Sequence, residues 1–284
     1  MNGIEITNIT KSFGDTLALN EISLKFEPDK IYGLLGRNGA GKSTLLNIIT
    51  NRLFADSGDI TIDGQTSVEN DHAQNKIYLM SEKNLYPRSM NCKEAFNWSQ
   101  SFYPNFDLDS ALKLSRLFGL DLKKKIRALS TGYSSIFKIV IALSVNTPYV
   151  LFDEPVLGLD ANHRELFYKL LIEKYSETPF TAIISTHLIE EISTLLESVI
   201  IIKNGKILIN ETCETLMHKG YSLAGTAKQV DDFIRDKEVI GIDTLGGLKT
   251  ATIIGDLDKQ HLPESLEIAN LDLQKLFIKL TNEE

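Results

Sequence analysis

Residues 36–44 form the segment that most constrains what this chain can fold into. Their sequence, Gly-Arg-Asn-Gly-Ala-Gly-Lys-Ser-Thr, follows the apolar run 31–35 and matches the phosphate-binding pattern Gly-x-x-x-x-Gly-Lys-Ser/Thr. Glycines let the backbone turn so that successive N–H groups point at phosphate oxygens, and a helix predicted to begin near Lys42 adds its positive dipole end. The position between a strand and a helix favours this interpretation over a glycine-rich turn without a ligand. The segment therefore predicts a nucleoside triphosphate site.

Within this loop two side chains have distinct predicted roles. The Lys42 ammonium can reach the β- and γ-phosphates, and the Ser43 hydroxyl can ligate Mg²⁺. A nucleoside triphosphate and Mg²⁺ are thus the expected ligands, and the family resemblance described below implies ATP. The residues predicted to surround the phosphates are Gly36, Arg37, Asn38, Gly39, Ala40, Gly41, Lys42, Ser43 and Thr44.

Composition narrows the class of protein. With 43% hydrophobic and 24% charged residues, the chain has the balance of a globular protein. Its most apolar stretches, such as 139–145 with a single serine, are far shorter than the roughly 20 residues that span a bilayer. The start of the sequence shows no pattern of a secretory signal, and Cys92 and Cys213 are predicted to be free thiols. A net charge of −8 argues against nucleic acid as the main ligand.

The order of predicted elements indicates an α/β fold. Alternating residues in 4–26 predict an antiparallel β-subdomain, and near-continuous apolar strands at 149–152 and 180–184, with a helix between them, predict a parallel sheet covered on both faces. Helical periodicity over about 88–145 predicts an inserted helical subdomain. Asn204-Gly205 favours a type I′ hairpin turn. Beyond residue 220 the pattern predicts a small C-terminal α+β appendage, giving domains 1–220 and 221–284.

An apolar strand ending in two carboxylates supplies the next candidate site. Residues 149–154 read Tyr-Val-Leu-Phe-Asp-Glu, which resembles a Walker B motif. Asp153 then lies at the carboxyl end of its strand beside the phosphate loop, where it can hold Mg²⁺ or a bound water. Glu154 is predicted to point toward the γ-phosphate and polarise the attacking water.

Residues 129–133, Leu-Ser-Thr-Gly-Tyr, lie 20 residues before Asp153 and connect the chain to a family. The sequence resembles the ATP-binding subunits of ABC transporters, whose signature is usually Leu-Ser-Gly-Gly-Gln. Ser130 can cap the following helix, whose end with Gly132 can hold a phosphate. Thr131 departs from the family pattern, and its β-branched side chain is expected to narrow the space for phosphate. The resemblance covers about residues 3–220 and implies a P-loop NTPase core.

Further positions match the same family. His187 ends a strand where these ATPases carry a switch histidine contacting the γ-phosphate, and Asp160 follows Gly158 as in the family's D-loop, which passes between subunits. Phe13 matches an aromatic residue that stacks on adenine, with an ordinary core phenylalanine as the alternative.

The family's Q-loop is the weakest match. Residues 78–86 occupy its place without a glutamine, and either Ser81 or Glu82 stands at the expected position. Glu82 is favoured as a Mg²⁺ ligand because carboxylates bind this ion well. The metal site implied by the sequence is therefore Ser43, Asp153 and Glu82, and the catalytic residues are Glu154 and His187.

The resemblance also implies a function and partners. Two such subunits pair head to tail, as a homodimer or heterodimer, and drive a separate transmembrane permease subunit from the cytoplasmic face of the cell membrane. The signature, residues 155–158 and the appendage resemble export-type members, including the bacitracin-resistance and phenol-soluble-modulin peptide exporters. Two alternatives stay open: a soluble ABC ATPase acting on DNA or ribosomes, and a regulatory subunit that binds ATP with weak turnover.

Overall fold

Strands account for much of the chain, and the computed structural model describes residues 2–255, 257 and 266–282. The strands are β1 (Ile4–Phe13), β2 (Thr16–Phe26), β3 (Ile31–Leu35), β4 (Ser57–Ile62), β5 (Gln65–Thr66), β6 (Ile77–Met80), β7 (Tyr149–Asp153), β8 (Thr181–Ser185), β9 (Ser198–Lys203), β10 (Lys206–Thr212), β11 (Gly220–Thr226), β12 (Glu238–Leu245), β13 (Leu248–Ile254) and β14 (Glu267–Asn270).

Helices connect most of these strands. They are α1 (Lys42–Ile49), α2 (Asp71–Gln74), α3 (Cys92–Phe102), α4 (Leu108–Leu117), α5 (Thr131–Ser144), α6 (Ala161–Glu177), α7 (Ile189–Ile192), α8 (Cys213–Lys219), α9 (Ala227–Phe233) and α10 (Leu273–Thr281). A short 3₁₀ turn, Ile126–Ala128, precedes α5.

The chain divides into two compact units. The first comprises Met1–His187 with Ile202–Leu208, and the second comprises Leu188–Ile201 with Ile209–Glu284. The predicted domain division at residue 220 stays a prediction, since the units are interleaved in sequence.

A parallel sheet forms the centre of the first unit. Its strands follow the order β3-β8-β7-β6, and each of the three pairings is parallel. Every residue of these strands is buried, as expected for strands covered on both faces. The carboxyl ends of β3, β7 and β8 therefore meet at one edge of the sheet, and the predicted α/β fold with a parallel sheet is confirmed.

The predicted antiparallel β-subdomain lies in the same unit. It is a sheet of order β2-β1-β4-β5, in which β1 pairs with both β2 and β4. The isoleucines Ile4, Ile6 and Ile9 alternate with exposed positions and are buried, which agrees with the strand periodicity of the sequence.

The predicted helical segment comprises α3, α4 and α5. Asn91 caps α3 through a capping box with Glu94, and Asp107 caps α4. α5 begins after Ser130. Its apolar residues from Ile136 to Leu143 are buried, and Lys138, the one charged residue among them, is half-buried. This helix carries the signature residues at its first turn.

The hairpin of β9 and β10 has the predicted turn. Asn204 and Gly205 both have positive φ angles, 50° and 72°, as a type I′ turn requires. In the second unit, a sheet of order β12-β13-β11-β14 has only antiparallel pairings. Tyr221, Leu223 and Ile253 form an apolar cluster within this unit.

Candidate functional site

The loop after β3 has the geometry of a phosphate-binding loop. It ends at Gly41, which precedes the first residue of α1 and has a φ of 110°, a conformation that favours glycine. A Cβ added at Gly41 would lie 2.6 Å from the carbonyl oxygen of Ala18, so the backbone approaches too closely for any side chain. Gly39 also has a positive φ, 82°, and a Cβ there would meet no atom within 4 Å. The loop is therefore tightly packed at its helix end and open at Gly39.

Lys42 is held by the loop itself. Its Nζ donates to the carbonyl oxygens of Gly36 at 2.6 Å and Arg37 at 3.3 Å, and the residue is only 7% exposed. Burial lowers the pKa of this ammonium, while the nearby carboxylates of Glu154 and Asp153 raise it. A cation fixed over the loop by carbonyl groups is placed to bind phosphate oxygens.

Ser43 and Asp153 meet at the sheet edge. The Ser43 hydroxyl donates to Oδ1 of Asp153 at 3.0 Å, and Asp153, the last residue of β7, is 6% exposed. A hydroxyl and a carboxylate are hard oxygen ligands that fit Mg²⁺, which usually takes one or two protein ligands and completes its shell with water and phosphate. Within the described ranges, no group of three or more His, Cys, Asp or Glu residues could hold a metal alone. These two residues therefore fit an ion that arrives with a nucleotide.

Glu154 and His187 form the second polar pair at this edge. Nδ1 of His187 lies 2.9 Å from Oε2 of Glu154, where its N–H donates to the carboxylate. The Glu154 backbone N–H donates to the carbonyl of Ser185 at 2.9 Å, which fixes the residue against the end of β8. Glu154 has a φ of 49°, a strained conformation for a residue with a side chain. Other described residues, Glu21 and Glu69 among them, share this conformation, so it describes how the chain turns at the end of β7 and does not assign a role to Glu154.

Burial controls the acidity of Glu154. It raises the pKa of this carboxyl above the ordinary value of 4.5, against the opposing effects of His187 and Lys42. A carboxylate with a raised pKa is a better proton acceptor than an exposed one. The position suits a general base.

The start of α5 packs against the residues that follow Glu154. Ser130 caps the helix by accepting a hydrogen bond from the Tyr133 N–H at 3.3 Å, as predicted. The Ser135 hydroxyl donates to the carbonyl of Leu157 at 2.8 Å. A Cβ added at Gly132 would lie 2.6 Å from the carbonyl oxygen of Gly158. The two segments are thus in close backbone contact.

Thr131 is accommodated by a glycine. Gly158 has a φ of 78°, and a Cβ there would lie 2.9 Å from Cγ2 of Thr131. The Thr131 methyl therefore occupies space that the missing side chain of Gly158 leaves. This contact was not predicted from the sequence, although Thr131 was identified as a departure from the family signature.

A polar cavity of about 550 Å³ lies between these segments and the loop after β6. Its lining includes Ser130, Thr131, Glu154, Glu82 and Lys138. Glu82 is exposed, and Ser81 donates its hydroxyl hydrogen bond to the carbonyl of Lys83 at 3.0 Å. The proposed Mg²⁺ role of Glu82 and the choice between Ser81 and Glu82 remain predictions.

Two predicted residues, Phe13 and Asp160, are not part of the lining of this cavity. Phe13, at the end of β1, is 50% exposed, and the Lys11 ammonium lies 5.7 Å from its ring centroid. A ring exposed to this extent is available for stacking, and its contact with adenine remains a prediction. Asp160 caps α6 by accepting from the His163 N–H at 2.9 Å.

Two cations that contact the loop after β6 were missed by sequence reasoning. Lys138 donates to the carbonyls of Ser81 and Glu82, and Arg52 donates to the carbonyl of Leu79. Lys138 is the only charged residue in the sequence of α5, and this was the available signal, because a charge in an apolar helix needs a partner.

Among the described residues, no helix combines the length and the apolar character needed to cross a membrane.

Comparison with known proteins identifies the family of this chain. A family model described as "ABC transporter" matches residues 19–157. The chain is 31% identical over 192 residues to the ABC transporter ATP-binding protein YtrB of Bacillus subtilis (strain 168), covering 68% of this chain and 66% of that protein. It is 30% identical over 225 residues to the ABC transporter ATP-binding protein NatA of the same organism, covering 75% and 91%.

Import proteins and solved structures are also similar. The Petrobactin import ATP-binding protein YclP of the same organism is 30% identical, with 72% of this chain and 85% of that protein covered. A dimeric ATP-binding cassette in a post-hydrolysis state, bound to ADP and phosphate, has the same fold, with a TM-score of 0.67, 24% identity and coverage of 74% of this chain and 98% of that one. The chain therefore belongs to the ABC transporter family, as an ATP-binding ATPase with the cassette fold.

Proposed function

We propose that this chain is the motor subunit of a transporter, hydrolysing ATP in a head-to-tail pair to drive a separate membrane subunit. The observation that supports this most directly is the arrangement at the sheet edge. Lys42, the Ser43–Asp153 pair and the Glu154–His187 pair provide groups for phosphate, for Mg²⁺ and for an attacking water. Family membership supplies the link to transport.

The chemistry assigned to these residues is phosphoryl transfer to water. Lys42 binds the β- and γ-phosphates, and Ser43 with Asp153 would hold Mg²⁺, which neutralises charge on the phosphates when bound. Water attacks the γ-phosphorus, the bond to the bridging oxygen of ADP breaks, and the water proton passes to Glu154. His187 holds the Glu154 carboxylate in place through its 2.9 Å hydrogen bond.

The second subunit enters through the start of α5. Ser130 and Gly132 present backbone N–H groups at the helix N-terminus, which favours an anionic group such as a γ-phosphate of the other subunit's nucleotide. A dimeric cassette is among the solved structures with this fold. In this proposal the protein acts at the cytoplasmic face of the membrane with a permease as partner.

The finer form of the proposal is export of a peptide or drug-like molecule. Its support is the departure of the signature at Thr131 and Tyr133 and the appendage after residue 220. Because relatives such as YclP are named for import, the direction of transport has to be measured. In vesicles that contain the complex with its cytoplasmic face outward, export predicts ATP-dependent accumulation of the peptide inside, and an importer would show none.

A regulatory subunit with weak turnover is the second candidate. The observation that favours it is Thr131, whose side chain occupies a signature position usually held by glycine. The measured rate of ATP hydrolysis by the assembled complex separates the candidates, because a regulatory subunit would bind ATP but hydrolyse it only weakly.

Glu154→Gln tests the proposed mechanism. The amide keeps the shape and a hydrogen bond but loses the base, so we expect hydrolysis to fall about a hundredfold or more. ATP with Mg²⁺ should still bind, and an ATP-bound dimer should accumulate on size exclusion. Glu165→Gln, at an exposed position of α6, is the matched control and should hydrolyse normally.

Ser130→Arg in the Glu154→Gln background tests the head-to-tail arrangement. A bulky side chain at the start of α5 should block the phosphate of the opposing subunit and prevent the dimer. A dimer that forms equally well without ATP, or that survives Ser130→Arg, would contradict the proposal.

A further inference from the structure

One cation of α5 contacts the loop that follows β6. The Lys138 Nζ donates to the carbonyl oxygens of Glu82 at 2.8 Å and Ser81 at 3.1 Å. Lys138 is half-buried and is the single charged residue between Thr131 and Ser144. Burying a long charged side chain is unfavourable unless its donors are satisfied, and here two backbone carbonyls accept from two of the three N–H groups of the ammonium.

A second cation holds the same loop from another direction. Arg52, which follows α1, donates through Nη2 to the carbonyl of Leu79 at 3.2 Å and through Nη1 to the Ser81 hydroxyl at 3.3 Å. The Ser81 hydroxyl in turn donates to the carbonyl of Lys83. Residues 79–83 therefore receive hydrogen bonds from Arg52, which lies just after α1, and from Lys138 of α5.

This loop lies beside the proposed metal site. β6 pairs in parallel with β7, with Met80 opposite Phe152, so the residues after β6 leave the sheet at the same edge as Asp153. Glu82, Lys138 and Glu154 line the same cavity. The carboxylates of Glu82 and Asp153 both interact electrostatically with the Lys138 ammonium.

We propose that Lys138 is a positioning residue for ATP hydrolysis, which ties the loop carrying Glu82 to α5 and keeps this loop at the metal-binding edge of the sheet. The proposal rests on the proposed function. Lys138 would thus hold in place the loop of residues 78–86, which occupies the position of the family's Q-loop but contains no glutamine. Because Ser130 caps the helix that carries Lys138, a movement of the start of α5 would carry the Glu82 loop with it.

The side-chain chemistry defines the variants. Lys138→Met keeps the length and apolar stem but removes all donors, so both carbonyls lose their partner. Lys138→Arg keeps the charge and donors in a different, planar shape and should restore the anchor in part. Lys113→Met, at an exposed position of α4, is the matched control for loss of one lysine.

Hydrogen exchange of the nucleotide-free full chain measures the anchor directly. We expect the amide of Tyr86, which donates to Oδ1 of Asn84 at 3.0 Å within this loop, to exchange about tenfold faster in Lys138→Met, closer to wild type in Lys138→Arg and unchanged in Lys113→Met. Unchanged exchange of this loop in Lys138→Met would overturn the anchor. This result does not depend on whether the chain hydrolyses ATP, so failure of the proposed function would be seen separately, as an inactive wild type.

The Mg²⁺ dependence of hydrolysis tests the consequence for the site. We expect the Mg²⁺ concentration for half-maximal rate to rise about fivefold in Lys138→Met and in Glu82→Gln, with no further rise in the double variant. Lys138→Arg should lie between Lys138→Met and wild type. Additive effects in the double variant, or an unchanged Mg²⁺ requirement in Glu82→Gln, would overturn the link between Lys138 and the metal edge. If Lys138→Met fails to fold, the Mg²⁺ requirement of Glu82→Gln still tests whether this loop belongs to the metal site.

Discussion

The phosphate-loop edge and the start of α5 are organised differently. At the edge, functional side chains already contact one another or the backbone, through Lys42, Ser43 and Glu154. At the start of α5, Thr131 and Gly132 are placed by close backbone packing against Gly158. The difference indicates that changes at the edge remove chemical groups, whereas changes at the start of α5 alter geometry. Substitutions in each region can test this division.

The largest effect is expected at the edge. Lys42→Ala removes the cation that binds the β- and γ-phosphates, and we expect ATP hydrolysis to be abolished. The fold should persist, because Lys42 contacts only the carbonyls of its own loop in the hydrogen bonds described. Hydrolysis assays with circular dichroism check both points. Lys25→Ala, which removes an exposed ion pair with Glu5, should leave activity intact, and full activity in Lys42→Ala would refute the phosphate-loop assignment.

A pH profile sharpens the chemical side of the comparison. If Glu154 is the general base, as proposed, hydrolysis needs its carboxylate, and the rate should fall as pH drops through its pKa, which burial holds above 4.5. Attraction by His187 is the largest influence lowering this pKa, so His187→Ala should raise it further and move the acid limb to higher pH. On that limb the rate should fall about tenfold per pH unit.

The control for this profile is His72→Ala. His72 is exposed and contacts Gln65 at 2.8 Å, away from the sheet edge, so its loss should leave the acid limb in place. An acid limb that does not move in His187→Ala would separate His187 from the ionisation of Glu154.

The smallest effect is expected in the packed region. Gly158→Ala introduces a Cβ 2.9 Å from the Thr131 methyl, at a positive φ, and should lower the free energy of unfolding by about 1–3 kcal/mol and slow hydrolysis. Urea unfolding measures the first effect. Gly246→Ala is the control, because Gly246 has a φ of 61° and an added Cβ would meet no atom within 4 Å. It measures the backbone strain alone and should lower the free energy of unfolding by less than Gly158→Ala does.

Removing the Thr131 methyl isolates the contact. In a Thr131→Gly background, Gly158→Ala should lower the free energy of unfolding by no more than Gly246→Ala does, because the close approach to Cγ2 disappears. Additive costs of Thr131→Gly and Gly158→Ala would contradict a geometric coupling between these positions.

Much of the edge could be predicted because its residues are contiguous in sequence. Residues 36–44 and 149–154 each carry their own strand and the groups at its end, and parallel strands bring those ends together. The meeting of Ser43 with Asp153, 110 positions apart, follows from this rule. The parallel sheet and the β9–β10 turn could be predicted for the same reason, since their patterns are local.

Long-range contacts could not be predicted in this way. Lys138 lies in a run of apolar residues, and its partners are backbone carbonyls more than 50 positions away, which have no sequence signature. The Ser135 hydroxyl likewise donates to the carbonyl of Leu157, 22 positions away, and a backbone carbonyl carries no sequence signature. The interleaving of the two compact units, in which 188–201 belongs with the C-terminal part, likewise depends on contacts and not on local pattern.

The left-handed backbone of Glu154 has a consequence for the history of such chains. A residue at φ 49° is less strained as asparagine or glycine, and either replacement would also delete the base. If Glu154 is the base proposed above, selection for stability alone would pull this position away from glutamate, and selection for turnover would retain it. A gene copy that is no longer selected for hydrolysis would then gain thermal stability when Glu154 is replaced by asparagine. A relative that has asparagine at this position and is unusually heat-resistant is therefore expected to have lost hydrolysis.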